Sequence, residues 1–206
     1  MTSRQFLIVV AAVQGVLLIA LIILIILNRW VRLRRRAKVH PRRVALNAVM
    51  QRWTLGQAGA VDVLRALAHL PVPLAIDALV TWSARVAGER WQELSQALEH
   101  QWWTRVVRSN SRSGRWWKRL ECARFLSVAA TSRDIGRVLR LLRDHHPAVQ
   151  IAAATTLERL ASPVLVTAAL DRLPFLGPTV QAYYASVLKR ARPAVLRHLH
   201  RAAALA

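Results

Sequence analysis

The sequence predicts an all-α protein: a single N-terminal transmembrane helix followed by an α-α superhelix. Three observations predict it. Residues 6–27 read FLIVVAAVQGVLLIALIILIIL, without a charge and interrupted only by Gln14 and Gly15. The remainder is rich in Leu, Ala, Val and Arg, with only 7 Gly and 8 Pro in the chain, and Leu, Ala and Arg are strong helix formers. The C-terminal part repeats itself at an interval of 31 residues.

At about 1.5 Å per residue the apolar run makes a helix of roughly 33 Å, against about 30 Å of bilayer hydrocarbon. A helix satisfies its backbone N–H and C=O groups within the segment, as lipid demands. The run ends in Asn28, Arg29, Trp30, Val31 and Arg32, with no small-residue cleavage pattern of a secretory signal. Phe6 and Leu27 bound the expected anchor, and Trp30 falls where an interfacial ring belongs. One basic side chain, Arg4, precedes the run; Arg29, Arg32, Arg34, Arg35, Arg36, Lys38, Arg42 and Arg43 follow it without an acid among them. Lys and Arg stay on the cytoplasmic side. The expectation is therefore a single pass of the plasma membrane, residues 1–5 outside and the C-terminal domain cytoplasmic. Residues 28–41 form a basic linker, with Arg29, Arg32, Arg34, Arg35, Arg36 and Lys38 against anionic lipid headgroups.

Beyond the linker about 160 residues remain, enough for one domain with a real core. The chain has 31 Lys and Arg against 10 Asp and Glu, a net charge of +21. Such an excess draws a domain towards anionic lipid or nucleic acid, and charge alone does not choose between them. The lone Cys122 rules out an intramolecular disulfide.

After His40-Pro41, where a proline marks a fresh start, apolar spacing predicts helices over 42–55, 60–70, 74–87 and 89–107. Gly56, Gly59, Pro71, Pro73 and Gly88 punctuate them. Residues 42–107 read as degenerate repeats. Asp62, Arg65, His69, Asp77 and two prolines exclude a second membrane span over 60–82. Residues 108–114, RSNSRSG, read as a loop.

Residues 115–206 are the regular part. PAVQIAAATTLERLASP from Pro147 and PTVQAYYASVLKRARP from Pro178 align Val149 with Val180, Gln150 with Gln181, Ala154 with Ala185, Leu157 with Leu188 and Arg159 with Arg190. The same shift backwards aligns Ala154 with Ala123 and Leu157 with Leu126, so units begin near 116, 147 and 178. Each holds two helices: 116–130 with 134–143, 148–160 with 164–173, and 179–190 with 194–205. Thr131 or Ser132 caps the second helix of the first unit. Ser162 caps that of the second, with Pro163 at its first position, and Pro193 takes that place in the third. Small Ala123, Ala153 and Ala154 let neighbouring helices approach. The Pro, Val, Ala-rich face, Leu and polar pair of DHHPAVQIAAATTLERLASP resemble a HEAT repeat, with Trp116 in place of Pro in the first unit and Tyr183-Tyr184 in place of Ala in the last. The resemblance implies a stacked solenoid whose concave surface holds partners.

The chemistry-bearing residues are few. Asp144-His145-His146 sit in an inter-unit turn, where polar residues are expected, and adjacent His do not give zinc its separated ligands. His198 and His200 point to different sides of a helix. Cys122 reads as a small buried hydrophobe. No phosphate loop, H-E-x-x-H motif or nucleophile constellation is present. Carboxylates beside arginines, such as Glu158 with Arg159 and Asp171 with Arg172, read as solvated pairs. No catalytic residue, cofactor or metal is expected. Trp53, Trp82, Trp91, Trp102, Trp103, Trp116 and Trp117 read mainly as core. The functional alternative places Trp103 or Trp116 on a basic surface with Arg105, Arg108, Arg112, Arg115, Lys118 and Arg119.

The expected function is a non-enzymatic scaffold holding a partner protein at the inner membrane face. The expected contact residues are Trp103, Trp116, Arg137, Arg140, Arg143 and Arg172. The alternative is a basic nucleic-acid-binding module held at the same place.

Overall fold

The structure, a computed structural model, describes residues 3–86, 88–160 and 162–191. Within the first helix the described side chains are those of residues 14, 18, 21–27, 29–30 and 40–54. The fold is all-α, with no strand among the described residues. Two compact units are present, Met1–Ala48 and Val49–Ala206.

Helix α1, Ser3–Thr54, is continuous through Pro41. This corrects the expected break there: a proline removes one backbone donor, and the bonds on either side carry the helix on. Leu18 and Leu21 to Leu27 are 52–61 % exposed. Among the described residues no helix is long and apolar enough to cross a membrane. The predicted anchor over residues 6–27, and with it the single-pass, N-outside placement in the plasma membrane, is therefore corrected: the structure does not support it.

At the end of α1 the chain turns through Gly56, whose φ of 79° is left-handed and favours glycine. Arg90 completes this terminus, its Nη1 donating to the carbonyls of Trp53 at 2.9 Å and Thr54 at 2.6 Å. Helices α2 (Ala60–Ala68), α3 (Val72–Ser83), α4 (Glu89–Glu99) and α5 (Trp102–Ser109) follow. The single helix expected over 89–107 is two helices. Gln101 is extended, with φ −76° and ψ 132°. The buried set moves from Trp91, Leu94 and Leu98 to Trp103 and Val107, a register that one straight helix cannot bury on one face. The expected loop over 108–114 is also shorter, because α5 runs to Ser109 and a 3₁₀ turn occupies Asn110–Arg112.

Helix α6, Trp116–Ala129, is the hub. It packs on α3, α4, α5, α7 and α8, and Cys122, Ala123, Phe125, Leu126, Ser127, Val128 and Ala129 along it are all buried. Beyond it come α7 (Ile135–Leu142), α8 (Pro147–Thr155), α9 (Pro163–Arg172) and α10 (Pro178–Arg190). Helices α6, α8 and α10 begin at Trp116, Pro147 and Pro178, the expected 31-residue interval. They pack in succession, α6 on α8 and α8 on α10, while α7 packs on α9. Pro147, Pro163 and Pro178 each occupy a first helical position, where the missing N–H costs nothing. Ser162 is the N-cap of α9 but makes no side-chain cap bond. Thr131 and Asp134 form a capping box on the 3₁₀ turn Ser132–Asp134 that leads into α7. The helix expected over 194–205, with Pro193, His198 and His200, lies outside the described residues.

The turns between layers are held by buried Asp144 and Gln150 and part-buried Arg119. Arg119 donates from Nη2 to Asp144 Oδ1 at 2.9 Å and from Nη1 to the Ser113 carbonyl at 2.8 Å. Asp144 Oδ1 also accepts the His146 N–H at 2.9 Å. One unit later, Gln150 reaches back to the Asp144 carbonyl, as Arg119 does to Ser113, each across 6 residues. Tyr184 fills the place of Ala153 in the last layer and is fully buried. Arg159 joins the first half to the second, donating to the Ser83 carbonyl at 2.7 Å and lying 5.1 Å from the Trp91 ring centroid. Burial pulls its pKa down, against the pull of Glu158.

Candidate partner-binding face

Helix α7 is eight residues long, IGRVLRLL, with Val138, Leu141 and Leu142 buried. Its remaining positions are open on two flanks, and each flank borders a depression.

On the first flank α7 meets the corner between α5 and the following 3₁₀ turn. The cleft there, about 440 Å³, is lined by Arg108, Ser109, Ser111, Arg112, Arg133, Gly136, Arg137 and Arg140. Its floor is an ion triad. Asp134, 1 % exposed at its side chain, has Arg108 Nε at 3.3 Å and Arg137 Nη1 at 2.8 Å. Arg108 further donates to the Ala129 carbonyl at 3.3 Å and lies 3.8 Å from Glu99. Arg112, Arg133 and Arg140 form the rim, and among the described residues no carboxylate pairs with them. Arg140 Nη1 donates to the buried Ser111 hydroxyl at 3.4 Å.

On the second flank α7 meets α9. The groove, about 400 Å³, is lined by Leu139, Arg143, Pro163, Val164, Thr167, Ala168 and Asp171. Val164 is 55 % exposed. The groove is thus an apolar floor with a cation and an anion at its edge.

The expected contact residues divide accordingly. Arg137 and Arg140 line the cleft and Arg143 the groove. Arg172 borders neither; it is half-buried, with Nε buried and without a hydrogen-bond partner. Trp103 is corrected from surface to core: it is 4 % exposed and packs edge-on against Phe125 at 5.6 Å. Trp116 is part exposed and stacks on His146, ring centroids 4.1 Å apart, with Trp117 edge-on at 6.2 Å. Of the expected anchor and headgroup contacts, Leu27, Arg29 and Trp30 are exposed, whereas the side chains of Phe6, Arg32, Arg34, Arg35, Arg36 and Lys38 lie outside those described.

The triad was not readable from the sequence, because 26 residues separate Arg108 from Asp134. The available signal was the arginine density of RSNSRSG and TSRD, which by itself reads as solvated loop.

Cys122 is buried, donating weakly to the Arg108 carbonyl at 3.8 Å, and burial pushes its pKa up to about 12. That is the reverse of the activation a nucleophile needs. Among the described residues there is no group of three or more His, Cys, Asp or Glu able to hold a metal.

No protein-family profile, curated protein or solved structure matches the chain. The family assignment drawn from the repeat is therefore corrected: the 31-residue layering is present in α6, α8 and α10, but membership of the HEAT-repeat family, and of an anchored form of it, is not confirmed.

Proposed function

We propose that this chain is a binding scaffold without catalytic chemistry, and that it receives a partner protein on the face formed by α7 and α9. The observation that carries the reading is the α7–α9 groove, where exposed Val164, part-exposed Leu139 and buried Ala168 line the floor beside Arg143 and Asp171. An apolar floor with charged edges is what a protein segment uses: burial supplies affinity, and rim charges set orientation. Stacked helix pairs suit the role, since layers extend a surface without altering the core.

The test is recovery of the tagged full chain with its bound molecules, at moderate and at high salt, beside Val164→Asp. Val164 is the second residue of α9 and exposed, so an added carboxylate there favours the helix dipole and leaves the fold intact. The expected result is a protein retained at high salt by the wild type and lost from the variant. A nucleic-acid-binding role draws on the net charge of +21 and on Arg133, Arg137, Arg140 and Arg143 in one stretch. It requires nucleic acid as the bound molecule, with affinity falling about 0.9 log units per log unit of salt for each phosphate neutralised. Nucleic acid recovered without protein would replace the scaffold reading.

A further inference from the structure

We propose that the arginine cleft beside α7 binds a phosphate group on a segment of the partner protein. The proposal rests on the scaffold reading and names the chemistry of the partner. Five guanidinium groups line one cleft of about 440 Å³. The only carboxylates paired with them among the described residues are Asp134 and Glu99. Asp134 lies beneath, held by Arg108 and Arg137. The floor arginines are thereby fixed, and the rim arginines Arg112, Arg133 and Arg140 keep their charge for something outside the chain.

A phosphomonoester fits this arrangement. It carries nearly two negative charges and three acceptor oxygens, and guanidinium forks pair with it bidentately. Ser109 and Ser111 add hydroxyls to the lining, which contains no apolar side chain. A single-stranded nucleic acid fits less well, since such strands are held by stacking on aromatic rings and no ring lines the cleft.

The second flank of α7 sets the rest of the ligand. Cleft and groove lie on neighbouring flanks of one helix, about a quarter turn apart at 3.6 residues per turn, Arg140 in the first and Leu139 and Arg143 in the second. A helix is about 10 Å across, and extended chain covers about 3.3 Å per residue. A peptide crossing α7 would then place an apolar side chain in the groove about three to four positions from its phosphorylated residue.

The test uses the full chain and calorimetry with three probes: inorganic phosphate, a short alanine-based peptide carrying phosphoserine and, about four positions on, leucine, and the same peptide unphosphorylated. The expected result is binding of both phosphate-bearing probes, tighter for the phosphopeptide. The variant R112Q/R133Q/R140Q should weaken both by about tenfold or more, one charged hydrogen bond being worth about that factor. Val164→Asp should weaken the phosphopeptide alone. Should the triple variant fail to fold, Arg112→Gln, at an exposed 3₁₀ position, gives the same reading in smaller measure. Equal affinity for the phosphorylated and plain peptides, or phosphate binding unchanged in the arginine variants, overturns the proposal. A partner protein lost from Val164→Asp but held by the triple variant after phosphatase treatment also overturns it, and leaves the scaffold reading standing.

Discussion

Asp144 shows how one side chain can hold a turn between two layers. Its burial alone would raise its pKa. That effect is outweighed by the hydrogen bond from Arg119, the His146 N–H and the charges of Arg119 and His145, so the carboxyl titrates below its ordinary range. The unfolded chain releases this proton near pH 3.9. A group with a depressed folded pKa stabilises the fold above the unfolded value, and that contribution fades as pH falls through the folded one. Asp144→Asn should therefore lower stability at neutral pH by about 1–2 kcal/mol, because part-buried Arg119 loses a charged hydrogen-bond partner that solvent only partly replaces. It should also flatten the dependence of urea midpoint on pH below about pH 5, the window in which an ordinary carboxylate titrates. A variant that keeps the wild-type slope would show that another carboxylate carries the acid sensitivity. Cys122 yields a simpler expectation. With its thiol pushed up to about 12 by burial, reaction with a disulfide reagent at pH 8 should be slow in the native chain and fast in denaturant. Prompt labelling of the folded protein would mean that the α6 environment opens.

The helices differ in how visibly the sequence announces them. The starts of α8 and α10 were legible because a boundary proline recurs with the period, and that of α6 because the same 31-residue shift backwards lands on Trp116. Pro147 and Pro178 sit where a missing N–H is harmless, and the Val and Leu positions behind them, Val149, Val180, Leu157 and Leu188, are buried in both layers, whereas Ala154 is buried and its counterpart Ala185 exposed. The break between α4 and α5 was not legible, since Glu99, His100 and Gln101 contain neither Gly nor Pro. Tertiary burial of Trp103 and Val107 decides it. Pro41 misled in the opposite sense, inside a helix long enough to absorb one lost bond. At the candidate face, Arg137, Arg140 and Arg143 were visible as a helical run of cations. The partition among a cleft, a groove and a buried triad was not visible, because it depends on where α5 and α9 come to lie against α7. The repeat of Gln150 and Gln181 was plain, but its use was hidden. Only the geometry shows that Arg119 performs the Gln150 task in the first layer, bonding back to the preceding turn.

Within Val49–Ala206 the irregular first half and the layered second half share a core rather than adjoin. Helices α3, α4 and α5 all pack on α6, the first helix of the layered series. Trp91 of α4 donates its indole N–H to the Val128 carbonyl of α6 at 2.8 Å, and Arg159 ties Ser83 to the second layer. Phe125 lies at the centre of this junction, fully buried, with the Trp103 ring at 5.6 Å and the Arg108 guanidinium at 5.4 Å. A solenoid of weakly coupled layers would lose its halves separately, since each layer touches only its neighbours. A shared hub ties them to one transition. Phe125→Ala should therefore destabilise the unit by about 3–5 kcal/mol and do so throughout, with tryptophan fluorescence, which reports mainly on the first half, and far-ultraviolet circular dichroism, which reports on all helices, falling at one denaturant concentration. Two separated transitions in the wild type, with only the earlier one moved by the substitution, would mean that α6 belongs to the layers alone and that the first half is an independent domain resting on them.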